Sequence, residues 1–282
     1  MPHPALQPGR AAVITGAASG IGLAAAKRFA ALGLRVALAD ANAEALAKAE
    51  ADVADLAAGG AAEVFSLVTD VADFEAVQAL KTAAYDRFGE VAVLMNNAGI
   101  GRGGGAFDNY ERWQRVLGVN LWGVINGVQA FAQAMIDQKT PAAIVNTGSK
   151  QGITNPPGDA AYNVSKAGVK SLTEHLAHQL RNIEGCLVSA HLLIPGFTFT
   201  GINAQRLAEK PPGAWTSEQV ADEMIAAMGR GDFYILCPDN DVTRSMDERR
   251  IQWMADDLIW NRPALSRWHP DYKDAFAAFM AK

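Results

Sequence analysis

Three residues near the middle of the chain have the side chains of a proton-transfer site. Tyr162 follows Ser149 by thirteen residues, and Lys166 follows the tyrosine by four. If the segment 160–180 is helical, Tyr162 and Lys166 lie one turn apart on the same face. A tyrosine pKa is about 10 in water, and a nearby ammonium lowers it by favouring the phenolate. The spacing therefore predicts a general acid or base, with Ser149 able to hydrogen-bond the oxygen that Tyr162 protonates.

The tyrosine–lysine pair also has a simpler explanation. Such a pair is frequent on the solvated face of an amphipathic helix, so it does not define a site by itself. The remaining motifs of the chain decide between these two interpretations.

Length and composition favour one intracellular domain. The 282 residues are 50% hydrophobic and 20% charged, which suits a single large core over 1–282. A formal net charge of −5 offers no long-range attraction for nucleic acid. No apolar run reaches the roughly 20 residues that span a bilayer. Two cysteines make no disulfide framework, and residues 1–10 lack an apolar signal-peptide core. We therefore expect a cytoplasmic protein without a nucleic-acid or membrane partner.

A glycine-rich turn near the start of the chain suits a dinucleotide pyrophosphate. The apolar run 11–15 predicts a buried strand, and the pattern that follows predicts a helix ending near Gly33. Gly16, Gly20 and Gly22 lie between them, where a pyrophosphate can approach the N–H groups of the helix. The spacing G-x-x-x-G-x-G differs from the commoner G-x-G-x-x-G, and a tight connection is the alternative.

The end of the next predicted strand indicates which cofactor the turn would accept. Residues 34–40 end in Asp40, about 20 residues beyond the glycine turn. A carboxylate there can bind the ribose hydroxyls of NAD and would repel the 2′-phosphate of NADP. Neither Ser19 nor Ala41 supplies a cation for that phosphate. Asp40 also suits the N-cap of the following helix, and both roles can hold together.

Predicted strands and helices alternate along the rest of the chain. Further strands are predicted at 62–70, 91–95, 142–148, 186–194 and 232–237. This rhythm indicates a parallel, doubly wound sheet whose ligands bind beyond the carboxyl ends of the strands. Asn96 to Gly99 and Ser149 follow two of those ends. A long helix is predicted over 107–138; it carries Asn120, for which an ordinary buried polar residue is the alternative.

Two further segments are predicted to be loops. The glycine-rich stretch 100–105 predicts a flexible loop, and 197–215 predicts a loop with a short helix, rich in aromatic residues.

In combination, these motifs resemble the classical short-chain dehydrogenase/reductases. The resemblance covers 10–237 and rests on the order of TGAASGIG, Asp40, Asp70, NNAG, Asn120, Ser149, YNVSK and PGFTFT. It implies a Rossmann-type α/β fold with seven parallel strands in the order 3-2-1-4-5-6-7 and helices on both faces. It also implies hydride transfer between nicotinamide and a carbonyl or alcohol carbon, in a homodimer or homotetramer.

The resemblance assigns roles to individual residues. Tyr162 would be the acid–base, and Lys166 would lower its pKa and bind the nicotinamide ribose. Ser149 would orient the substrate oxygen, and Asn120 would hold a water that links Lys166 to solvent. The residues expected to bind the cofactor are Gly16, Ser19, Gly20, Ile21, Gly22, Asp40, Asp70, Val71, Asn97, Ala98, Gly99, Tyr162, Lys166, Pro195, Gly196, Thr198 and Thr200.

Two positions depart from the family's usual pattern. Gly148 stands where a second serine more often precedes the catalytic one, and Thr198 stands where Val or Ile is usual. The first should leave the mechanism intact, and the second matters little if that contact is made through the backbone.

The substrate is less well defined by the sequence. The candidate pocket walls are Gln151, Ile153, Asp159, Phe197, Phe199 and Trp215, which suggest an apolar or aromatic substrate. The alternative is that these aromatic residues only fill the core or an interface. The C-terminal extension 238–282 holds Trp253, Trp260 and Trp268, and we expect it to act as a substrate lid or an oligomer contact.

No metal site is predicted. His175 and His178 lie three residues apart, but no Asp, Glu or Cys pattern nearby completes a ligand set.

The leading hypothesis is an NAD-dependent oxidoreductase that acts on a secondary alcohol or ketone. An NADP-dependent carbonyl reductase differs from it in cofactor preference. A non-catalytic NAD(H)-binding sensor is a further alternative, because a fold does not fix function. The complete set Asn120, Ser149, Tyr162 and Lys166 favours the enzyme, since a sensor needs no tuned tyrosine.

Overall fold

The computed structural model describes residues 2–101, 104–201 and 209–281. Seven parallel strands form one sheet in the order β3-β2-β1-β4-β5-β6-β7. They are β1 (Ala11–Thr15), β2 (Arg35–Asp40), β3 (Val64–Val68), β4 (Val93–Asn96), β5 (Ala142–Thr147), β6 (Val188–Ile194) and β7 (Tyr234–Leu236). The predicted doubly wound sheet and its strand order are confirmed.

Helices cover both faces of the sheet. They are α1 (Gly20–Ala31), α2 (Ala43–Ala54), α3 (Phe74–Phe88), α4 (Tyr110–Leu117), α5 (Gly123–Asp137), α6 (Gln151–Thr154), α7 (Ala160–Arg181), α8 (Ser217–Arg230), α9 (Arg244–Ile259) and α10 (Lys273–Met280). Local sequence sets several of their ends. Asn42 and Asp73 cap α2 and α3, and Thr216 and Gln219 form a capping box at α8.

The central strand β1 supplies side chains to both layers of the core. Ala12 and Ile14 pack with apolar residues of α1, α2 and α8. Ala11 and Val13 face the other way and pack with α3, α5 and α7. Because successive side chains of a strand point to opposite faces, a strand covered on both sides needs a continuous apolar sequence. This is why the run 11–15 could be recognised as a buried parallel strand.

The long helix predicted over 107–138 is interrupted in the structure. A π-helical turn at Gly118–Trp122 separates α4 from α5 and carries Asn120. Such turns are rare in proteins, but those that occur often lie at functional sites. They redirect a side chain without ending the helix. The apolar spacing of the sequence shows no sign of this interruption.

The two predicted loops fall partly outside the described residues. Residues 102–103 of the loop 100–105 and residues 202–208 of the segment 197–215 are not described. Across the described ranges, no helix combines the length and the apolar character that crossing a membrane requires. The same ranges contain no group of three or more His, Cys, Asp or Glu side chains placed to hold a metal ion.

The C-terminal extension forms a small core around Trp253. This side chain is 4% exposed, and its ring meets those of Phe276 and Phe279 at centroid distances of 5.2 and 5.3 Å. The Arg262 guanidinium lies 4.1 Å from the ring centroid, and the indole N–H donates to Ser266 Oγ at 2.8 Å. Aromatic and cation–π contacts of this kind stabilise a segment with few aliphatic residues. One tail tryptophan is therefore core to the extension itself.

Two histidines form a partly buried cluster at the start of β6. The His3 and His191 rings meet edge-on at 5.5 Å, and both bond to Ser189 Oγ, at 3.2 and 2.9 Å. Burial lowers the pKa of His3 from 6.5 to about 4, helped by the charge of His191. Burial also lowers the pKa of His191, against a smaller opposing effect of its bond to the Asp232 carbonyl.

We expect the protein to lose stability as the pH falls from about 6.5 toward about 4. In this window the unfolded chain protonates His3 and the folded chain does not, so the free energy of unfolding decreases with falling pH. In His3→Asn the free energy of unfolding should decrease by about 1 kcal/mol less across this window. This value allows for the partial exposure of His3, because solvent weakens the effect. The measurement is the urea midpoint against pH. The exposed His175→Asn is the control, and an unchanged slope in His3→Asn would contradict the assignment.

Candidate active site

A cleft of about 1010 Å³ opens at the carboxyl ends of the central strands. Parallel strands present these ends at one edge of the sheet, so residues far apart in sequence meet there. The predicted site residues that line the cleft are Gly16, Ser19, Gly20, Ile21, Asp40, Asp70, Val71, Asn97, Ala98, Gly99, Ser149, Gln151, Asp159, Tyr162, Lys166, Pro195, Gly196, Phe197, Thr198 and Thr200.

The other predicted residues do not line the described cleft; they are Gly22, Asn120, Ile153, Phe199 and Trp215. A Cβ on Gly22 would lie 2.2 Å from the Gly16 carbonyl oxygen, so this glycine serves close packing. Ile153 packs against the apolar cluster of β6 and α7, and Trp215 packs against that of α1 and α8. Both side chains are partly buried against these clusters and do not line the described cleft, so their role as walls of a substrate pocket stays a prediction.

The glycine turn and the start of α1 form a cradle that fits a pyrophosphate. Gly16 and Gly20 adopt φ angles of 65° and 56°, and a Cβ on Gly16 would lie 2.7 Å from the Ala98 Cα. Ser19 precedes α1 but makes no side-chain capping bond to it. The first N–H groups of α1 therefore have no capping side chain, and they can bind an anion at the positive end of the helix dipole.

Asp40 ties this cradle to the loop before α2. Its Oδ2 accepts from Ala18 N at 3.1 Å, and its Oδ1 accepts from Asn42 N at 2.9 Å. The cap of α2 is Asn42, whose side chain accepts from Ala45 N. Asp40 is therefore not the N-cap that the sequence left open, and its carboxylate faces the cleft beside the glycine turn.

The three residues of the predicted proton-transfer site meet on the opposite side of the cleft. Lys166 Nζ lies 5.8 Å from the centroid of the Tyr162 ring and donates to the Thr147 carbonyl at 2.8 Å. Ser149 lines the cleft beside Tyr162, and its hydroxyl oxygen accepts from Gln151 N at 3.2 Å. The arrangement can exchange a proton with a substrate oxygen held by the serine and the tyrosine.

Burial has the largest effect on the ionisation of Tyr162. It raises the pKa of this phenol above 10, the bond from Ser149 lowers the pKa in part, and the charge of Asp159 raises it. Burial also lowers the pKa of Lys166 to about 8. In this structure the effect of burial on the tyrosine pKa outweighs any lowering by Lys166, and the expected lowering by Lys166 stays a prediction. The ammonium bonds the Thr147 carbonyl, and burial of the phenol dominates.

We expect alcohol oxidation to accelerate with rising pH between about 6 and 8. With Tyr162 as the base, oxidation would need its phenolate, whose population grows about tenfold per unit of pH while the pH stays below a raised pKa. Ketone reduction needs the neutral phenol, which is already dominant, so its rate should not rise in this range. Profiles of kcat/KM in both directions test this. An oxidation profile that is level or falling would contradict the role given to Tyr162.

Asn120 lies against the lysine but is engaged by the backbone of a loop. Its Oδ1 accepts from Ile100 N at 2.8 Å, and its Nδ2 donates to the Ile100 carbonyl at 2.9 Å and to Ser165 Oγ at 3.3 Å. A Cβ on Gly99 would lie 3.5 Å from Asn120 Oδ1 and 3.7 Å from Lys166 Nζ. The π-helical turn thus places Asn120 beside Lys166, and the implied water relay stays a prediction.

Two residues that position the site were missed by sequence reasoning. Ser165 Oγ donates to the Tyr162 carbonyl at 2.7 Å, which links the π-helical turn to α7. Thr15 Oγ1 accepts from Asn97 N at 3.0 Å and Ala98 N at 3.2 Å, which joins the ends of β1 and β4. Both lie inside the recognised motifs, TGAASGIG and YNVSK. Their bonds to distant segments have no signal in the sequence.

With this geometry established, the chain belongs to the short-chain dehydrogenase family, whose model matches residues 10–211. It is 34% identical over 250 residues to 1-deoxy-11-beta-hydroxypentalenate dehydrogenase of Streptomyces exfoliatus, covering 86% of this chain and 88% of that relative. It is 36% identical over 220 residues to 3beta-hydroxysteroid dehydrogenase 1 of Eggerthella lenta, covering 78% and 82%.

The solved structures agree with the fold. A short chain dehydrogenase/reductase from Burkholderia phymatum in complex with NAD has a TM-score of 0.81 and 37% identity, covering 91% of this chain and 96% of that one. Other similar structures are complexes with NADH or with NADP. The family and the sheet are thereby confirmed, and a nicotinamide cofactor is supported.

Proposed function

We propose that this chain is an NAD-dependent oxidoreductase that transfers a hydride between nicotinamide and a secondary alcohol or ketone. The observation that carries this proposal is that Ser149 and Tyr162 line one cleft with the buried Lys166, whose Nζ lies 5.8 Å from the centroid of the Tyr162 ring. This group lies at the end of β5, and Asp40 lies at the end of β2. Because β1 and β4 separate those strands, the two ends are about 14 Å apart, a span that suits an extended dinucleotide.

The protein's part in the reaction is to orient the substrate oxygen and to balance one proton. A bound nicotinamide cofactor supplies the hydride acceptor or donor. In oxidation the Tyr162 phenolate removes the hydroxyl proton of the alcohol while Ser149 holds the same oxygen. In reduction the Tyr162 phenol donates that proton to the oxygen of the carbonyl group. The Lys166 ammonium favours the phenolate electrostatically, and Asn120 connects Lys166 to solvent.

The cofactor would lie across the carboxyl ends of the strands. The glycine turn and the N–H groups of α1 would bind the pyrophosphate, and Asp40 would bind the adenosine ribose. Asp70 and Val71 would contact the adenine, with 97–99 along the adenine ribose and 195–200 at the carboxamide. The negative charge of Asp40 favours NAD over NADP.

We propose an apolar or aromatic substrate. Phe197 lines the cleft and is 41% exposed, so an apolar surface is available there. Gln151 and Asp159 add polar groups to the same region. Two relatives are named for a hydroxypentalenate and a hydroxysteroid, which supports including hydroxylated compounds of this kind among the candidates.

The test is an assay of nicotinamide reduction, followed by its absorbance, with NAD⁺ or NADP⁺ and a panel of alicyclic, aryl and steroidal secondary alcohols. Reduction of NAD⁺ that disappears in Tyr162→Phe would support the enzyme, its cofactor and a substrate class together. Faster reduction of NADP⁺ would instead favour an NADP-dependent carbonyl reductase. Tight NADH binding without turnover of any alcohol or ketone would favour a sensor.

We also propose a homodimer or homotetramer in the cytoplasm. Tyr110 on α4, Trp122 in the π-helical turn and Val164 on α7 are exposed, and a groove of about 550 Å³ lies between α5 and the end of α7. Exposed apolar groups of this size are typical of an interface. Both cysteines are free thiols, which suits a reducing compartment. Light scattering would measure the mass in solution, and a monomer at micromolar concentration would contradict the proposed assembly.

A further inference from the structure

The residue after the catalytic-site serine, Lys150, belongs to a buried ion cluster. Its Nζ lies 3.4 Å from Asp239 Oδ2 and 2.5 Å from Asp247 Oδ2. The side chains of Asp239 and Asp247 are 5% and 3% exposed, and that of Lys150 is 14% exposed. Arg250 Nη1 is 4.0 Å from the other oxygen of Asp247. Buried charges are costly unless each keeps its partner, so the cluster holds its segments in a fixed arrangement.

The cluster is bonded to the backbone on the nicotinamide side of the proposed site. Asp239 Oδ2 accepts from Phe197 N at 3.2 Å, and Lys150 N donates to the Pro195 carbonyl at 3.2 Å. A Cβ on Gly196 would lie 2.7 Å from Asp239 Oδ2 and 2.9 Å from Lys150 Nζ. The segment 195–200 therefore packs directly on the cluster.

Asp247 brings the C-terminal extension into contact with this cluster. It lies in the first turn of α9, and one turn later Ile251 packs against the apolar cluster of β6 and α7. Among the described residues, none after Gly201 lines the cleft. In the described part of the chain the extension therefore meets the site through the ion cluster and does not cover it.

We propose that Lys150, Asp239 and Asp247 form a brace by which the C-terminal extension fixes the loop of Ser149 and the segment 195–200 relative to Tyr162. They act as positioning residues, because their charged groups bind each other and the backbone of these segments. This inference rests on the proposed function and gives the extension a part in it. Neither the glycine turn nor Asp40 contacts the brace, so the adenosine end of the site should not depend on it.

Asp247→Asn tests the brace with little change in side-chain shape. We expect turnover per active site to fall about 10- to 100-fold, because a small displacement of reacting groups reduces rates by this order. The affinity for ADP-ribose, which lacks nicotinamide, should stay within about twofold. The difference in affinity between NADH and ADP-ribose should be smaller in Asp247→Asn than in the wild type, because the segment 195–200 is less ordered in the variant. Glu248→Gln, next on α9 and in an exposed pair with Arg244, should change none of these quantities.

The titration with ADP-ribose counts the folded sites and is independent of turnover. If Asp247→Asn keeps wild-type turnover, and if its affinity for NADH exceeds its affinity for ADP-ribose by as much as in the wild type, the brace is overturned. Loss of ADP-ribose binding itself would show that the cluster serves folding alone, which also overturns a positioning role. If the wild-type chain oxidises no alcohol and reduces no ketone, the proposed function fails. The comparison of ADP-ribose with NADH still decides whether the brace exists.

Discussion

Replacing Tyr162 by phenylalanine is expected to lower turnover by about 10²- to 10⁴-fold, the usual contribution of a general acid–base residue. The substitution removes the phenol oxygen, which is the group proposed to give or take the proton, and keeps the aromatic ring. The affinity for NADH should change by no more than about threefold, because the pyrophosphate and ribose contacts lie at the ends of β1 and β2. Steady-state kinetics and fluorescence titration with NADH measure the two quantities separately.

The control for this substitution is Tyr110→Phe. Tyr110 is 76% exposed at the start of α4, and it does not line the cleft. Removing its hydroxyl should leave turnover unchanged. The melting temperature of each variant is recorded as well, so that a loss of folding is separated from a loss of turnover. Turnover of Tyr162→Phe within about tenfold of wild type would remove the tyrosine from the mechanism.

The fold could be predicted because its signals are local. Strands buried on both faces need continuous apolar runs, and the run 11–15 is 0–4% exposed along its length. The approximate location of the site also followed, because ligands of such sheets bind at the carboxyl ends of the strands. Asp40 ends one recognisable strand and Ser149 follows another. Their presence in one cleft could therefore be predicted without knowledge of tertiary contacts.

Features that depend on packing or long-range pairing could not be predicted. The sequence places Ile153 and Trp215 near the site, but it does not show that both would pack against core clusters and leave the cleft to other residues. Lys150 and Asp247 are 97 residues apart, and no local pattern pairs them. The spacing of Tyr162 and Lys166 indicated their proximity, but not that burial would raise the tyrosine pKa. Solvation of a group is a property of the folded chain.

The second large effect is expected in the choice of cofactor. Replacing Asp40 by alanine and Ala41 by arginine together should raise the preference for NADP over NAD by about 100-fold, measured as the ratio of kcat/KM values. Removing the carboxylate abolishes its repulsion of the 2′-phosphate, and the guanidinium adds a charge-assisted hydrogen bond to that group. Ala41 is exposed beside the cleft, so an arginine fits there without disturbing the core.

The single variant Asp40→Ala separates the two contributions. The Asp40 carboxylate also accepts from Ala18 N and Asn42 N, so its loss should weaken NAD binding through the glycine turn as well as through the ribose. NADP should gain relative to NAD, while the absolute rate with either cofactor falls. Glu44→Gln removes an exposed charge on α2 that does not line the cleft, and it should leave the ratio unchanged. A ratio that stays constant in Asp40→Ala and in the double variant would mean that the ribose is held by other residues. The preference for NAD would then lose its physical basis.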